Sequence, residues 1–247
     1  MPAPFEGSAV GPDRAFVDLH CHTSASFDSL ATPGAVVRTA ASRGLTHLAV
    51  TDHDRIEGAL RARDAAPDEL SVIVGEEVKT ADGDLIAIFI EKLIPPGLSA
   101  VETIAAIREQ GGLVGVPHPF DRLRGYGHKS GANLAEIAAR VDWIEVYNAR
   151  VIGGSANDRA AEFAREHKLP GVCVSDSHTT MEVGVSYNAL VGDPSSPAGL
   201  LAALARVDMH PYRASYYVRA WTPVAKLVQS IRGNGRRRSQ PSPGEPT

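Results

Sequence analysis

The stretch FVDLHCHTSASFDS, residues 16–29, places two histidines one residue apart, directly after a short apolar run. In a β-strand, residues i and i+2 project to the same side, so we expect His20 and His22 to share one face while Cys21 points away. Each neutral imidazole offers one nitrogen lone pair, and two such rings side by side are a metal-binding arrangement. Taken alone, the pair is equally compatible with two ordinary buried histidines.

Length and composition restrict the class of protein. The chain has 247 residues, of which 43% are hydrophobic, and its formal net charge is −4. This is enough apolar material for one sizeable core, and the charge gives no sign of a surface that coats nucleic acid. The chain has two cysteines in apolar runs, no apolar stretch near the ~20 residues that span a bilayer, and no basic leader. These features predict a cytoplasmic protein without a membrane segment.

Seven short apolar runs alternate with helical segments. Thr32-Pro33 opens one helix, Ser99 and Glu102 form a capping box at another, and further helices are predicted over residues 155–167, over residues 197–206 and from Thr222 onward. Runs rich in β-branched residues suit strands that are covered on both faces. The alternation favours an α/β barrel, with an open doubly wound sheet as the alternative. The runs are residues 16–19, 47–50, 71–74, 85–90, 113–116, 143–147 and 171–174.

Metal-ligating residue types follow four more of these runs at the points where the strands should end. The segments are TDHD (51–54), GEE (75–77), PHP (117–119) and SDSH (175–178). In an α/β barrel the C-terminal strand ends face one common mouth, so these side chains would converge there. Crowded carboxylates and imidazoles would repel one another and lose hydration unless cations neutralised them. The sequence therefore predicts a metal centre with more than one ion.

The motifs DLHCHT, TDHD, GEE, PHP and SDSH, in this order, resemble the PHP family, named for polymerase and histidinol phosphatase. The resemblance extends from Phe16 to about Asp193. It implies a distorted seven-stranded (β/α) TIM-like barrel that holds two or three divalent ions, usually zinc, manganese or iron, at the C-terminal ends of its strands. It also implies hydrolysis of phosphoesters. The metal ligands that the resemblance implies are His20, His22, Asp28, His53, Glu77, His118, Asp176 and His178.

Four acidic residues near these motifs raise further questions. Family spacing picks Glu77 from the GEE triplet, but strand phase alone does not exclude Glu76. Asp84 stands where many family members have a histidine ligand, which leaves the third ion open and favours manganese or iron over zinc. Asp18 shares the strand face of His20, and we expect it to orient that ring. Asp52 could do the same for His53.

The chemistry of the reaction suggests roles for several residues. Two divalent ions roughly 3.5–4 Å apart lower the pKa of a bridging water, so a hydroxide forms at neutral pH without a serine or cysteine nucleophile. Asp176 is predicted to act as a catalytic residue that passes a proton to the leaving oxygen. The forked donors of Arg124 and Arg150 suit substrate phosphate, although each could pair with an acid instead. Asn148 suits either a substrate contact or a turn cap.

The favoured hypothesis is a metal-dependent hydrolase, more narrowly a phosphoesterase that acts on a small phosphorylated metabolite or nucleotide through a metal-bridging hydroxide. No membrane and no specific nucleic-acid partner is expected. One alternative is hydrolysis of non-phosphate esters or carbamates at the same centre, and another is a non-catalytic module that metal stabilises. We predict one barrel domain over residues 1–232 and a disordered, basic and proline-rich tail over residues 233–247.

Overall fold

Nine strands form one sheet in the residues that the computed structural model describes, which are 14–121 and 134–235. All seven runs predicted as strands are strands, and two more follow them. The nine are β1 (Arg14–Asp18), β2 (His47–Val50), β3 (Ser71–Lys79), β4 (Asp84–Ile88), β5 (Leu113–Val116), β6 (Trp143–Asn148), β7 (Gly171–Val174), β8 (Tyr187–Val191) and β9 (Val207–His210).

The helices begin largely where the capping signals predict. Thr32 accepts a hydrogen bond from the backbone N–H of Ala35, and Ser99 and Glu102 form the predicted capping box. Within the described ranges, no helix is both long and apolar enough to cross a bilayer. The helices are α1 (Pro33–Ser42), α2 (Glu57–Asp64), α3 (Ala100–Glu109), α4 (Leu134–Ala138), α5 (Gly154–His167), α6 (Pro197–Ala203), α7 (Tyr216–Arg219) and α8 (Trp221–Ile231).

The sheet is mixed and curves into a nearly closed barrel. Its order is β7-β6-β5-β4-β3-β2-β1-β8-β9. Strands β1 to β3 pair in parallel, as do β5 to β7, whereas β4 is antiparallel to both of its neighbours. β8 pairs antiparallel with β1 and with β9. The α/β barrel prediction is therefore confirmed in outline, but the sheet has nine mixed strands rather than seven.

Polar side chains close the seam between the first and last strands of the barrel. The N-terminal part of β1 pairs with β8, and only further on does the chain reach β7, through a bridge between Cys21 and Ser177. Asn188, which is fully buried, fills the seam: its amide donates to the carbonyls of Val17 and Cys173 and accepts from the N–H of Cys173. These bonds satisfy backbone groups that would otherwise be buried without a partner.

Apolar side chains cover both faces of the sheet, as the near-continuous strand runs predict. Alternate residues such as Val17, Leu19 and Ile86 fill the barrel interior together with Trp143, while the intervening positions pack against the helices. Trp143 fits because its neighbour in the next strand is Gly115, where an added Cβ would lie 2.2 Å from the indole ring. The barrel is thus a packed core and not a pore, which confines solvent-accessible chemistry to its rim.

The predicted domain boundary near residue 233 lies at the edge of the described chain. Asn234, just beyond α8, donates from its side chain to the carbonyls of Ser24 and Ala25. Residues 236–247, which include the arginines of the predicted tail, lie outside the described residues. The single domain and the disordered tail therefore remain predictions.

We predict that Asn188→Leu lowers the free energy of unfolding by about 2–5 kcal/mol. The substitution keeps the branching and the number of heavy atoms of the side chain but leaves the backbone groups of Val17 and Cys173 without partners, and each orphaned group costs about 1–3 kcal/mol. Denaturant unfolding would measure the change. Val191→Thr, at an exposed position of the same strand, is the control and should change stability by at most about 0.5 kcal/mol. Equal effects of the two substitutions would contradict the role given to Asn188.

Candidate metal centre

The eight residues predicted as metal ligands lie together at one rim of the barrel, and none is more than 5% exposed. The rim is the C-terminal edge of the parallel strands, where a parallel bridge joins His53 to Glu77. His20, His22 and Asp28 follow β1, His53 follows β2, Glu77 lies in β3, His118 follows β5, and Asp176 and His178 follow β7.

One group of ligand atoms surrounds the carboxylate of Glu77. His20 Nε2 lies 2.9 Å from His22 Nε2, and these nitrogens lie 3.2 Å and 3.3 Å from Glu77 Oε2. Asp176 Oδ1 approaches the same nitrogens, at 3.7 Å from His20 and 3.4 Å from His22. The donor atoms of His20, His22 and Glu77 all lie within 4.8 Å of one another, as ligands of one ion must. We call His20, His22, Glu77 and Asp176 the Glu77 group.

A second group lies beside the first, around Asp28. Asp28 Oδ2 is 3.5 Å from His53 Nε2 and 3.3 Å from His178 Nε2. The other oxygen, Asp28 Oδ1, is buried without a hydrogen-bond partner in the described part of the chain. The ring of His22, which belongs to the Glu77 group, contacts this second group: its centroid is 4.5 Å from that of His53 and 4.2 Å from that of His178. We call Asp28, His53 and His178 the Asp28 group.

Glu77 connects the two groups, and Glu76 does not. Glu77 Oε2 lies 3.1 Å from His53 Nδ1, and Oε1 lies 3.2 Å from His118 Nε2, so its two oxygens face different histidines. Glu76 instead accepts a hydrogen bond from the backbone N–H of Ile94. The geometry places Glu77 where a bridging carboxylate is expected. Asp84 is the backbone register partner of Lys79 at the turn end of the β3–β4 hairpin, two residues beyond the register pair of Glu77 and Ile86.

Hydrogen bonds behind the rings hold three histidines in the orientation that a metal ligand needs. Nδ1 of His20 donates to Glu145 Oε1 at 2.6 Å, and Nδ1 of His178 donates to the backbone carbonyl of Asp176 at 2.8 Å. Each ring therefore presents the lone pair of Nε2 to the centre. Glu145 was missed in the sequence, where its only signal is an acid inside the apolar run of β6.

The third of these histidines, His22, is oriented through a relay of two side chains. The hydroxyl of Ser26 donates a hydrogen bond to Asp52 Oδ1, and because a hydroxyl has one hydrogen, Ser26 accepts the hydrogen bond from His22 Nδ1. Asp52 also accepts from the N–H and hydroxyl of Thr23. The expectation that Asp52 orients the ring of His53 is therefore wrong: it fixes the loop after β1.

Asp18 also acts differently from the sequence-based expectation. Its Oδ1 accepts from the backbone N–H groups of His20 and Ser175, so it stabilises the seam between β1 and β7 instead of holding the imidazole. Glu145 occupies the ring-holding role. Complete burial disfavours the charged form of Asp18 and raises its pKa to about 6.

Electrostatics show that the centre demands positive charge. Burial opposes the charge on Glu77 and on Asp28, but the neighbouring histidines hold the pKa of each carboxyl well below its usual range. Burial also opposes a proton on His22, yet Asp176 and Glu77 outweigh it and raise its pKa to about 9. The pKa of His178 falls to about 3 because burial and the nearby Arg150 both oppose its proton, so this ring keeps a free lone pair.

The donor set fits divalent metal ions. Buried carboxylates that stay ionised need cations nearby, and metal ions can replace the protons that the imidazoles would otherwise take up. Imidazole nitrogen and carboxylate oxygen are ligands that suit zinc, manganese and iron. The buried oxygen of Asp28 and the two oxygens of Glu77, which face different histidines, are available as coordination atoms.

Two of the ligand candidates have a backbone conformation that non-glycine residues rarely adopt. His118 has φ of 26° and Asp176 has φ of 50°. Such left-handed conformations cost of order 1–3 kcal/mol and persist only where the surroundings impose them. Here the N–H of His118 is held by Glu145 Oε2, and the side chain of Asp176 is held by Asn148, so the strain serves to aim both side chains at the centre.

The sequence comparisons agree with this geometry. The model of the PHP domain matches residues 18–164, more than half of the chain, and that of the PHP-associated segment matches residues 154–207. The chain belongs to the PHP family. An uncharacterized protein of Methanocaldococcus jannaschii is 32% identical over 154 residues, which are 58% of this PHP chain and 87% of that protein.

Solved structures share the fold. A two-domain protein of Bacteroides vulgatus, described as containing a predicted PHP-like metal-dependent phosphoesterase, superposes with a TM-score of 0.68 at 18% identity. The match covers 81% of this chain and 65% of that one. The lesion-specific endonuclease of Pyrococcus furiosus gives a TM-score of 0.57 at 16% identity, over 79% of this chain and 57% of that one. At these identities the likeness concerns the fold alone.

A cleft of about 740 Å³ opens beside the Asp28 group of this PHP barrel. Phe120, Arg159 and Lys226 line it, and Arg159 lies over the Phe120 ring at 4.4 Å from its centroid. Asp28 and His178 are also among its lining residues, so the cleft leads directly to the candidate ligands. Its position and its two exposed cations suit a substrate that carries negative charge.

Of the three residues predicted to bind substrate, two have buried partners. Arg150 lines the cleft but lies 3.3 Å from Glu182 and donates to Thr222 at 2.6 Å. The amide of Asn148 donates to Glu145 and Asp176, so it holds the metal centre's carboxylates. Arg124 lies outside the described residues.

We predict that Glu145→Gln weakens the affinity of the centre for zinc or manganese by about 10–100-fold. The amide keeps the size of the side chain but removes the charge that fixes the proton of His20 on Nδ1. Titration of metal-free protein with each ion would measure the change. Glu109→Gln, at an exposed position of α3, is the matched control. Unchanged ion affinity in Glu145→Gln would show that His20 needs no such partner.

Proposed function

We propose that this PHP protein is a metal-dependent phosphoesterase that hydrolyses a small phosphorylated metabolite or nucleotide. The observation that carries the proposal is the convergence of eight buried ligand candidates at one rim, seven of them in two adjoining groups and His118 against Glu77. A cleft whose lining includes Arg159 and Lys226 opens beside them. Family membership supports the coarser statement of a metal-dependent hydrolase. The cleft supports the finer one, since a volume of about 740 Å³ suits a small ligand.

Each part of the centre has a distinct task in this proposal. Divalent ions, when bound, supply an activated water and neutralise charge on the phosphate. The Glu77 group and the Asp28 group would hold those ions, with Glu77 shared between them. Asp176 is our candidate for passing a proton to the leaving oxygen, because Asn148 fixes one of its carboxylate oxygens and turns the other toward the centre.

Binding of the substrate falls to the cleft. Arg159 and Lys226 are exposed and line it, so both can reach an anionic group. Arg150 forms an ion pair with Glu182 and donates to Thr222, so its guanidinium stabilises the wall of the cleft and is less available to bind phosphate. Burial raises the pKa of Glu182, and the adjacent guanidinium of Arg150 opposes that rise.

Metal analysis combined with an esterase panel tests the proposal. We expect the purified protein to contain zinc, manganese or iron and to release phosphate from nitrophenyl phosphate, sugar phosphates, nucleotides or nucleoside bisphosphates. His20→Ala and Asp176→Ala should each lower kcat/KM at least about 100-fold, because each removes an atom of the Glu77 group. His167→Ala, on the surface of α5, is the matched control. Full activity in His20→Ala or Asp176→Ala would refute the assignment of the site.

A second prediction concerns the cations of the cleft. Arg159→Ala and Lys226→Ala should each raise KM for phosphate esters several-fold and leave KM for nitrophenyl acetate unchanged, because only the phosphate ester brings negative charge to the cleft. Arg165→Ala, at an exposed position further along α5, should change neither value. If both cleft variants keep the original KM for every phosphate ester, the substrate binds elsewhere.

A second candidate substrate is a phosphodiester in nucleic acid. The shared fold with the Pyrococcus furiosus endonuclease is the observation that favours it. A duplex with an abasic site and a single-stranded RNA therefore belong in the panel. Cleavage of either, together with inactivity toward small phosphomonoesters, would replace the small-molecule proposal. Preferred hydrolysis of nitrophenyl acetate would instead favour a carbonyl ester.

A further inference from the structure

The C-terminal segment lies outside both family matches, which end at residue 207, yet it contacts the loop that carries candidate ligands. In α8, Gln229 is 2% exposed and points its amide into this loop. Nε2 of Gln229 donates to the backbone carbonyls of Ser24, Ser26 and Ser29, at 2.8, 3.0 and 2.7 Å. One side chain thus forms hydrogen bonds with three backbone carbonyls of a single loop.

These contacts are costly to lose. Three carbonyl oxygens with partial negative charge, those of Ser26 and Ser29 buried and that of Ser24 partly buried, converge on one amide nitrogen, which has two hydrogens to share among them. Without the donor the carbonyls would be left unsatisfied or would have to turn toward solvent, and either outcome moves the loop. Asn234 adds two weaker bonds to the same loop, at 3.3 Å to the carbonyl of Ser24 and 3.1 Å to that of Ala25.

The loop positions two parts of the metal centre. Asp28 lies between Ser26 and Ser29, whose carbonyls Gln229 holds, and its carboxylate faces His53 and His178. The hydroxyl of Ser29 donates to the backbone carbonyl of His178 at 2.9 Å. A shift of the loop backbone would therefore move Asp28 away from both histidines and would loosen the contact of Ser26 with His22. Glu77 and His20, which are held from β3 and β6, would stay in place.

We propose that Gln229 is a positioning residue that sets the affinity of the Asp28 group for a divalent ion. It acts through the backbone of residues 24–29 and touches neither the ion nor the substrate. The proposal rests on the proposed function to the extent that it assumes a divalent ion between Asp28, His53 and His178. In this proposal α8, which lies beyond the residues that the family models match, helps to position the ligands of the metal centre.

The same helix also borders the cleft. Thr222 and Lys226 of α8 line it, and Thr222 accepts the hydrogen bond from Arg150. Lys226 lies one turn before Gln229, and its Nζ is 5.3 Å from the centroid of the Phe27 ring, next to Asp28. Seating of α8 on the loop therefore fixes the ligand and the wall of the cleft together.

Titration of metal-free protein with Mn²⁺ tests the proposal without any substrate. In Gln229→Met, which keeps the length of the side chain and removes the donor, we expect one ion to bind about 10–100-fold more weakly than in the unmodified protein. The other ion should weaken by a smaller factor, because Glu77 and His20 keep their positions and only His22 loses part of its support. Gln110→Met is the matched control, because Gln110 also clamps a loop by its amide, at Glu91 and Lys92, far along the chain from the ligands.

Asp28→Asn identifies which ion is affected. It should weaken the same ion, and Gln229→Met should add little to Asp28→Asn in the double variant, since both act on one position. If Gln229→Met proves too unstable to purify, Asn234→Ala should shift the same ion in the same direction by a smaller factor.

The outcomes separate this proposal from the proposed function. A fall in melting temperature with unchanged Mn²⁺ affinity, as expected for Gln110→Met, would overturn the positioning role. The role would also be overturned if Asp28→Asn bound every ion with the affinity of the unmodified protein. A weakened ion in Gln229→Met would support the role even if the protein hydrolysed none of the phosphoesters in the panel, and that last result would count against the proposed function alone.

Discussion

The structure depends on one electrostatic constraint: several carboxylates and imidazoles share a volume from which water is excluded. Glu77 and Asp176 are fully buried, and both face His20 and His22. Ionised groups of this kind are stable in a low-dielectric interior only beside positive charge. The upward shift in the pKa of His22 and the downward shift for Glu77 both express this demand. Divalent cations meet it with fewer groups than protons would.

The barrel makes such crowding possible. Parallel strands bring the residues after β1, β2, β5 and β7 to one rim. The barrel interior below them is packed with apolar side chains around Trp143, so the ligands stay at the rim. Closure is incomplete, however, and Asp18 and Asn188 supply polar contacts where β1 passes from β8 to β7. The seam lies directly beneath His20. Stability of the fold and alignment of the ligands thus depend on neighbouring bonds.

Most of the barrel and the candidate ligand cluster could be predicted from the sequence, because their signals are local. Apolar runs mark the strands, and His20 with His22 or Asp176 with His178 repeat the two-residue period of a strand. β8 and β9 were missed because Asn188 and Asp208 interrupt their apolar pattern. The extra strands seal an edge of the sheet, a need that is visible only once the barrel is built.

The partners of the ligands could not be predicted for a different reason: they are distant along the chain. Glu145 is separated from His20 by 125 residues, and Gln229 from the carbonyls of its loop by 200 to 205. A glutamate in an apolar strand and a glutamine in an amphipathic helix have many ordinary explanations. Only the three-dimensional contacts distinguish a residue that holds a ligand from one that merely faces solvent.

The properties of the metal centre depend on these distant partners as well as on the motifs. The motifs specify which atoms can bind metal, but the protonation and orientation of those atoms are set by Glu145, Ser26 and the amides that hold the loops. A change of one such partner alters the basicity or the position of a ligand without touching the motif. Chains that share the ligand set can therefore differ in ion affinity, and we propose that in this chain α8, beyond the residues that the two family models match, contributes to it.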